Sequence, residues 1–352
     1  MIRAPAFWTR ALAFQPRAPD FWSRDCRLAR VLSPLSWAVA AITAGRVAQP
    51  GWRAPVPVIC CGNATVGGAG KTTLALDLAR RLTARGVAVH ILSRGYRGTA
   101  RGPRRVLPGD SPALTGDEAL LLAGIAPTWT GADRAASARA AIAAGAEVLL
   151  MDDGLQNASL EKTMSLLVVD GAAGLGNRRV LPAGPLRDPI GAAASRCRAA
   201  VLVGPDTSGA LAQLPPSLPV LRATLVQGDE IALLTGRRVL AFAGIAIPAK
   251  FFTALERAGV VLAGRAAFAD HHAFTSIELA GLEARARALN AILVTTPKDA
   301  VRLPAGMPAR MSVQVVGVRL VWDAGSAIDS LLDEVVSGQS PPPSPRDDRS
   351  MA

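Results

Sequence analysis

Cys60-Cys61-Gly62-Asn63-Ala64-Thr65-Val66-Gly67-Gly68-Ala69-Gly70-Lys71-Thr72-Thr73 joins an apolar run, Val56 to Cys61, to a helical pattern with Leu74, Leu78 and Leu82 at i, i+4 and i+8. Strand, glycine loop, Lys-Thr and helix in that order are the build of a phosphate-binding loop. Glycines let successive backbone N–H groups turn inward around phosphate oxygens, and the helix N-terminus adds free donors and a favourable dipole. In such a loop Lys71 reaches the terminal phosphates and the Thr72 hydroxyl sits on Mg²⁺. The slot of the usual first glycine holds Thr65, so the core reads Gly-Gly-Ala-Gly-Lys-Thr. Residues 65 to 73 therefore imply a nucleoside triphosphate ligand.

Outward from this loop the chain alternates strand and helix. Val87 to Ser93, Val148 to Met151, Leu166 to Val169 and Ala199 to Val203 are short apolar runs of the kind buried parallel strands require. Helical stretches start at Asp117 and Asp133. Strands alternating with helices behind a phosphate loop predict a doubly wound α/β domain over residues 54–210. A Pro-, Ser- and Gly-rich stretch, 205–219, then suggests a linker. A second, smaller α/β unit is expected over 211–336, with strands at Val239 to Phe242, Val260 to Leu262, Ala291 to Thr295 and Ser312 to Val318. The Pro-Pro-Pro-Ser-Pro segment within 337–352 reads as a disordered tail.

The 352 residues suffice for two domains with substantial cores. Half of them are hydrophobic and 19% charged, which excludes a disordered chain. The net charge of +12 suits polyanionic partners. Nucleic acid is not expected among them, because aromatics make up only 4% and no reader motif is present. The four cysteines show no metal-ligand spacing, which points to a reducing compartment.

Residues 1–53 carry eight arginines against two aspartates, half of the net charge. Arg3, Arg10 and Arg17 break any apolar run near the start, which argues against a secretory signal. Val31 to Gly45 are 15 uncharged residues. As a helix they span roughly 22 Å, short of a bilayer core of about 30 Å. Leu28, Val31, Leu32, Leu35, Val39 and Ile42 form a helical stripe, with Trp22 and Trp37 nearby. Such an amphipathic helix packs on the protein's own core, lies on an anionic leaflet, or does both.

Four clusters could carry chemistry. Val148 to Met151 ends in Asp152-Asp153-Gly154, and an acid at such a strand end holds or orients hydrated Mg²⁺. Thr115-Gly116-Asp117-Glu118 reads as a Thr-x-x-Glu capping box with Asp117 in the first turn, or else as a catalytic carboxylate. Asp270-His271-His272 reads as a surface turn or as metal ligands without a third partner. The loop 174–189, dense in Gly, Pro, Arg and Asp, follows a strand at the edge where parallel sheets bind ligands.

Together these segments resemble the tetraacyldisaccharide 4′-kinase family. The matching motifs run in order: residues 62–72, Ser93-Arg94-Gly95-Tyr96-Arg97-Gly98, Gly116-Asp117-Glu118 and Asp152-Asp153-Gly154-Leu155-Gln156. They continue through Gly176-Asn177, Leu181 to Pro189, Phe242-Ala243-Gly244-Ile245, Asp270-His271-His272 and Thr295-Thr296-Pro297-Lys298-Asp299, covering about residues 56 to 303.

The resemblance implies two α/β/α domains around a cleft and an N-terminal membrane-associating helix. It also implies transfer of the γ-phosphoryl of ATP to the 4′-hydroxyl of a tetraacylated glucosamine disaccharide 1-phosphate, at the cytoplasmic face of the inner membrane. On matched positions, Thr65 to Thr73 and Gln156 take ATP, with Lys71 also serving the chemical step. Thr72, Asp152, Asp153 and Asp188 take the Mg²⁺ region, and Arg94, Arg97 and Arg187 the substrate. Asp117 becomes the base, supported by His271. The chain departs from the family pattern at Asn157 (histidine expected), Pro297 and Asp188 (glutamate expected) and Thr73 (proline expected). The rival class is a nucleotide-switch ATPase of the partitioning or metallochaperone kind. It expects a lysine where Val66 stands and leaves the 181–189 loop and Asp270-His271 unexplained.

Overall fold

The structure, a computed structural model, describes residues 19–304 and 312–338. The tail expected at 337–352 lies, from 339 on, outside the described residues. So do Arg3, Arg10 and Arg17.

Nine strands form the larger sheet: β1 (Val58–Gly62), β2 (Val89–Ser93), β3 (Arg104–Arg105), β4 (Thr128–Thr130), β5 (Val148–Asp152), β6 (Met164–Asp170), β7 (Ala199–Val203), β8 (Val220–Gln227) and β13 (Val318–Trp322). Their order is β13-β8-β7-β6-β1-β5-β2-β4-β3, parallel throughout except for the two outermost pairs. Alternate residues of β1 serve opposite faces, as the pleat dictates. Ile59 and Cys61 join Leu74, Leu78 and Leu82 of the helix Lys71–Ala84. Val58 and Cys60 join Ala138 and Ala141 of the helix Arg134–Ala143. Both faces are covered, which is why these strands read as continuous apolar runs.

The smaller sheet holds β9 (Arg238–Ala243), β10 (Val261–Ala267), β11 (Ile292–Thr295) and β12 (Val313–Val315), in the parallel order β10-β9-β11-β12. Phe251 and Leu255 cover one face and Leu279 and Leu282 the other.

The expected division at 210/211 does not match this topology. The smaller unit is inserted between β8 and β13, an antiparallel pair on the edge of the first sheet. The stretch Ser312 to Val318, read as one strand, is broken at Gly317 and feeds both sheets. The helix Gly325–Val336 then packs Ile328, Leu332 and Val335 into the first domain's core.

The N-terminal stripe divides: Val39 and Ala40 pack against the core beside Val180 and Leu186, while most of the rest of it faces away. In the helix Ser33–Ala48 the buried face is Ser33 and Ser36. The Ser36 hydroxyl donates to Val180 O at 2.6 Å and accepts from Ala183 N at 3.1 Å. Val31 (74%), Trp37 (70%), Leu35 (58%) and Ile42 (56%) point outward. Among the described residues no helix is long and apolar enough to cross a membrane.

Candidate active site

The glycine loop leaves the carboxyl end of β1, where the order of strands in the sheet reverses. That is the crevice in which open α/β sheets hold ligands. Gly70 caps the helix Lys71–Ala84 with φ 90°, a left-handed turn that glycine adopts without strain. Lys71 is drawn back along the loop: its Nζ donates to Asn63 Oδ1 at 3.0 Å and lies 3.8 Å from Asp153 Oδ1. Asn63, fully buried, had no assigned role in the sequence reading. The loop 181–189 braces this cradle, since Val66 N donates to Pro185 O at 2.8 Å and Arg187 N to Ala64 O at 2.6 Å.

The Thr72 hydroxyl donates to Asp152 Oδ2 at 3.1 Å. Asp152 Oδ1 is buried without a hydrogen-bond partner. Burial, then the negative charges of Glu118 and Asp153, push this carboxyl up to about 7, against the opposing pull of Lys71 and Thr72. A buried oxygen without a donor, beside a hydroxyl, fits a divalent cation that takes one or two carboxylates and completes its shell with phosphates and water. Among the described residues no cluster of three or more His, Cys, Asp or Glu forms a metal cage, and such a cation needs none. Burial raises Asp153 too, but Lys71 and Arg187 more than offset it and hold the carboxyl below the usual range. Arg187 Nη1 donates to Asp153 Oδ1 at 2.7 Å.

Asp188, one of the residues expected in the Mg²⁺ region, stands next to Gln156. It is buried (2% exposed), paired with Arg196, and accepts from Gln156 Nε2 at 3.2 Å. Its charge is neutralised behind Gln156, which also donates to Asn63 O at 3.1 Å. Gln156, Arg94 and Arg97 line the cleft, and Arg97 Nη1 donates to Asp270 O at 3.4 Å.

The capping box at Thr115 and Glu118 does not form. Gly116, with φ 85°, is the N-cap and offers no side chain. A Cβ there would meet Tyr96 O at 2.5 Å. Asp117 opens the helix Asp117–Ala123, and its Oδ1 accepts from Glu118 N at 2.9 Å. Its Oδ2 faces Nδ1 of His271 at 2.7 Å, from the smaller domain. Burial works to raise the Asp117 carboxyl, but the His271 bond and the charges of Lys298, His271 and Arg302 bring it below the ordinary value. The two neighbouring histidines diverge, which removes the metal-ligand reading. His272 Nε2 pairs with Glu278 at 3.0 Å and stacks on Phe268. Sequence reasoning missed Arg302 altogether, because nothing local to it signals a contact with Asp117.

The glycine loop, Arg94, Arg97, Asp152, Asp153, Gln156, Arg187 and His271 line one cleft of about 2470 Å³ between the domains, and the buried Asp117 meets its wall at His271. A pocket for a single small ligand is roughly 300–1,000 Å³, so two reactants fit here. Fold and site define a phosphate-loop nucleotide-binding protein of the α/β class whose site is assembled from two domains. The chain belongs to the tetraacyldisaccharide-1-P 4′-kinase family, whose model matches residues 28–337. The tetraacyldisaccharide 4′-kinase of Gluconacetobacter diazotrophicus is 54% identical over 319 residues, spanning 90% of this chain and 97% of that protein. That of Gluconobacter oxydans is 50% identical over 324 residues, 91% of this chain and 98% of that one. Among solved structures, LpxK from Aquifex aeolicus, an "apo" form in complex with ATP, matches with a TM-score of 0.71 at 26% identity, covering 88% of this chain and 99% of that one.

Proposed function

We propose that this chain moves the γ-phosphoryl of ATP onto the 4′-hydroxyl of a tetraacylated glucosamine disaccharide 1-phosphate, giving lipid IVA in lipid A biosynthesis. The observation that carries this reading is the 2.7 Å contact of Asp117 with His271 over the cleft into which the glycine loop opens. Family membership supports the kinase class, a phosphotransferase with an alcohol acceptor.

Phosphoryl transfer asks mainly for alignment and charge neutralisation. Lys71 and the N–H groups of the glycine loop stabilise the negative charge that spreads over the phosphate oxygens. Thr72 and Asp152 are the side chains fit to hold Mg²⁺, which when bound supplies charge neutralisation across the phosphates. Asp153 aligns Lys71 and Arg187. Asp117 accepts the hydroxyl proton, while His271 holds its orientation and tunes its basicity. Arg94 and Arg97 receive the substrate's own phosphate through charge-assisted bonds. Because Asp117 and His271 belong to different domains, domain closure completes the site and excludes water.

The enzyme works from the cytoplasmic face of the bacterial inner membrane as a peripheral protein. The support is the helix Ser33–Ala48, which turns its small polar face inward and Trp37, Leu35 and Ile42 outward. Flanking arginines add about 1 kcal/mol each near an anionic surface. The test is to supply γ-labelled ATP and the disaccharide 1-phosphate lipid in detergent. Label appearing in the lipid supports the reading, and label released only as free phosphate reduces the protein to an ATPase.

A further inference from the structure

Behind the Asp117–His271 contact sits a charge pair that the chemistry above leaves unused. Arg302 (7% exposed) and Asp299 (0%) are both buried. Their charged groups lie 3.1 Å apart. Buried charges persist when partners and hydrogen bonds surround them, and these have several. Arg302 Nε stands 3.4 Å from Asp117 Oδ2, across the domain boundary. It also donates to Lys298 O at 2.8 Å. Nη1 donates to Gly244 O at 3.0 Å and to His272 O at 3.2 Å. Gly244 O accepts His271 N as well, at 3.1 Å.

The guanidinium thus grips both sides of the turn that presents His271. That turn needs holding: His271 has φ 60°, a left-handed backbone that a non-glycine residue keeps only where its surroundings impose it. Asp299 completes the frame, accepting from Gly244 N at 2.8 Å and from the Thr296 hydroxyl at 2.6 Å.

We propose that Arg302, anchored by Asp299, is a positioning residue for phosphoryl transfer: it fixes the turn carrying His271 and sets a positive charge against Asp117. The inference rests on the reading of Asp117 as the base. The groups facing Asp117 are His271, with Asp270 behind it, then Lys298 and Arg302 from the smaller domain and Glu118 on its own helix; Asp299 stands behind Arg302. Removing one cation from that ring favours the protonated carboxyl, so Asp117 stays available as a base over a narrower range on the acid side.

The full-length protein is assayed for label transfer from ATP to the disaccharide lipid across the acid and neutral range, with thermal melts on every variant. In Arg302→Met the acid limb of kcat moves up by about one pH unit. Its kcat at the optimum falls about tenfold or more while KM for ATP stays within about twofold. Arg302→Lys keeps the charge but loses the fork, so its acid limb stays in place and kcat falls about tenfold. Wild-type kcat and acid limb in Arg302→Met overturn the inference, as does a loss confined to KM for ATP. If Arg302→Met does not fold, wild-type kcat in Arg302→Lys overturns it. A wild-type protein that consumes ATP without phosphorylating the lipid removes the functional reading and the inference together. An active wild type with unmoved variants removes the inference alone.

Discussion

Nδ1 of His271 lies 2.7 Å from Oδ2 of Asp117, although 154 residues separate them and one stands on a helix of the larger domain, the other in a turn of the smaller. Neither residue stands out in isolation. Asp117 looks like a first-turn helix acid and His271 like part of a polar turn. Their meeting, with His271 on the wall of the cleft, is what supports the roles in proton transfer proposed for them.

Replacing Asp117 by asparagine keeps the shape and removes the base. Turnover of the lipid acceptor is expected to fall by about 10²-fold or more, with ATP affinity nearly unchanged. Steady-state kinetics beside an ATP-binding titration check this. A variant of normal turnover takes the base assignment away from Asp117.

His271 is expected to act through Asp117, so the two losses will not add. His271→Ala lowers kcat about tenfold in the parent and has little further effect in Asp117→Asn. A double-mutant cycle measures the coupling. Full additivity means that the residues act independently.

Asp152 gives the nucleotide-free protein a pH-dependent stability. Its carboxyl is pushed up to about 7 by burial and by Glu118 and Asp153, against an ordinary 3.8. Between those values the native state holds a proton that the unfolded chain has released, so stability falls as pH rises from about 4 to about 7. The loss is on the order of 4 kcal/mol. Asp152→Asn removes it, raising Tm at mildly alkaline pH and leaving Tm near pH 4 almost unchanged. Thermal melts across that range decide the matter, and a Tm difference that ignores pH contradicts the prediction.

Val31 and Trp37, 74% and 70% exposed, contribute little to folding where they stand. Changing both to serine is expected to leave Tm and turnover in detergent unchanged. Binding to vesicles containing anionic lipid should weaken about tenfold or more, since each large apolar side chain gains roughly 1.5–3 kcal/mol on full burial. Vesicle sedimentation is the readout, and undiminished binding excludes this face as the contact.

Much of the architecture was legible because it depends on local pattern. The glycine loop and the apolar runs of β1, β5, β6 and β7 announce a buried parallel sheet directly. What escaped depends on pairing between distant segments. Val220–Gln227 carries polar residues because it lies near the sheet edge, so it did not read as a strand. Gly317, one residue in a β-like run, marks the return of the chain to the first sheet. The N-terminal stripe was visible, but periodicity cannot say which face a helix buries. Here Ser33 and Ser36 face inward because the loop supplies their hydrogen bonds, Arg179 to Ser33 and Val180 and Ala183 to Ser36. Arg302 escaped for the same reason: its partner Asp117 lies in the other domain.

The most direct measurement is the phosphorus NMR spectrum of the lipid recovered after incubation with the protein, ATP and Mg²⁺. A second phosphomonoester on the disaccharide, at the 4′ position and absent with Asp117→Asn, is the predicted result. Stoichiometric ADP with the lipid unchanged would contradict the account.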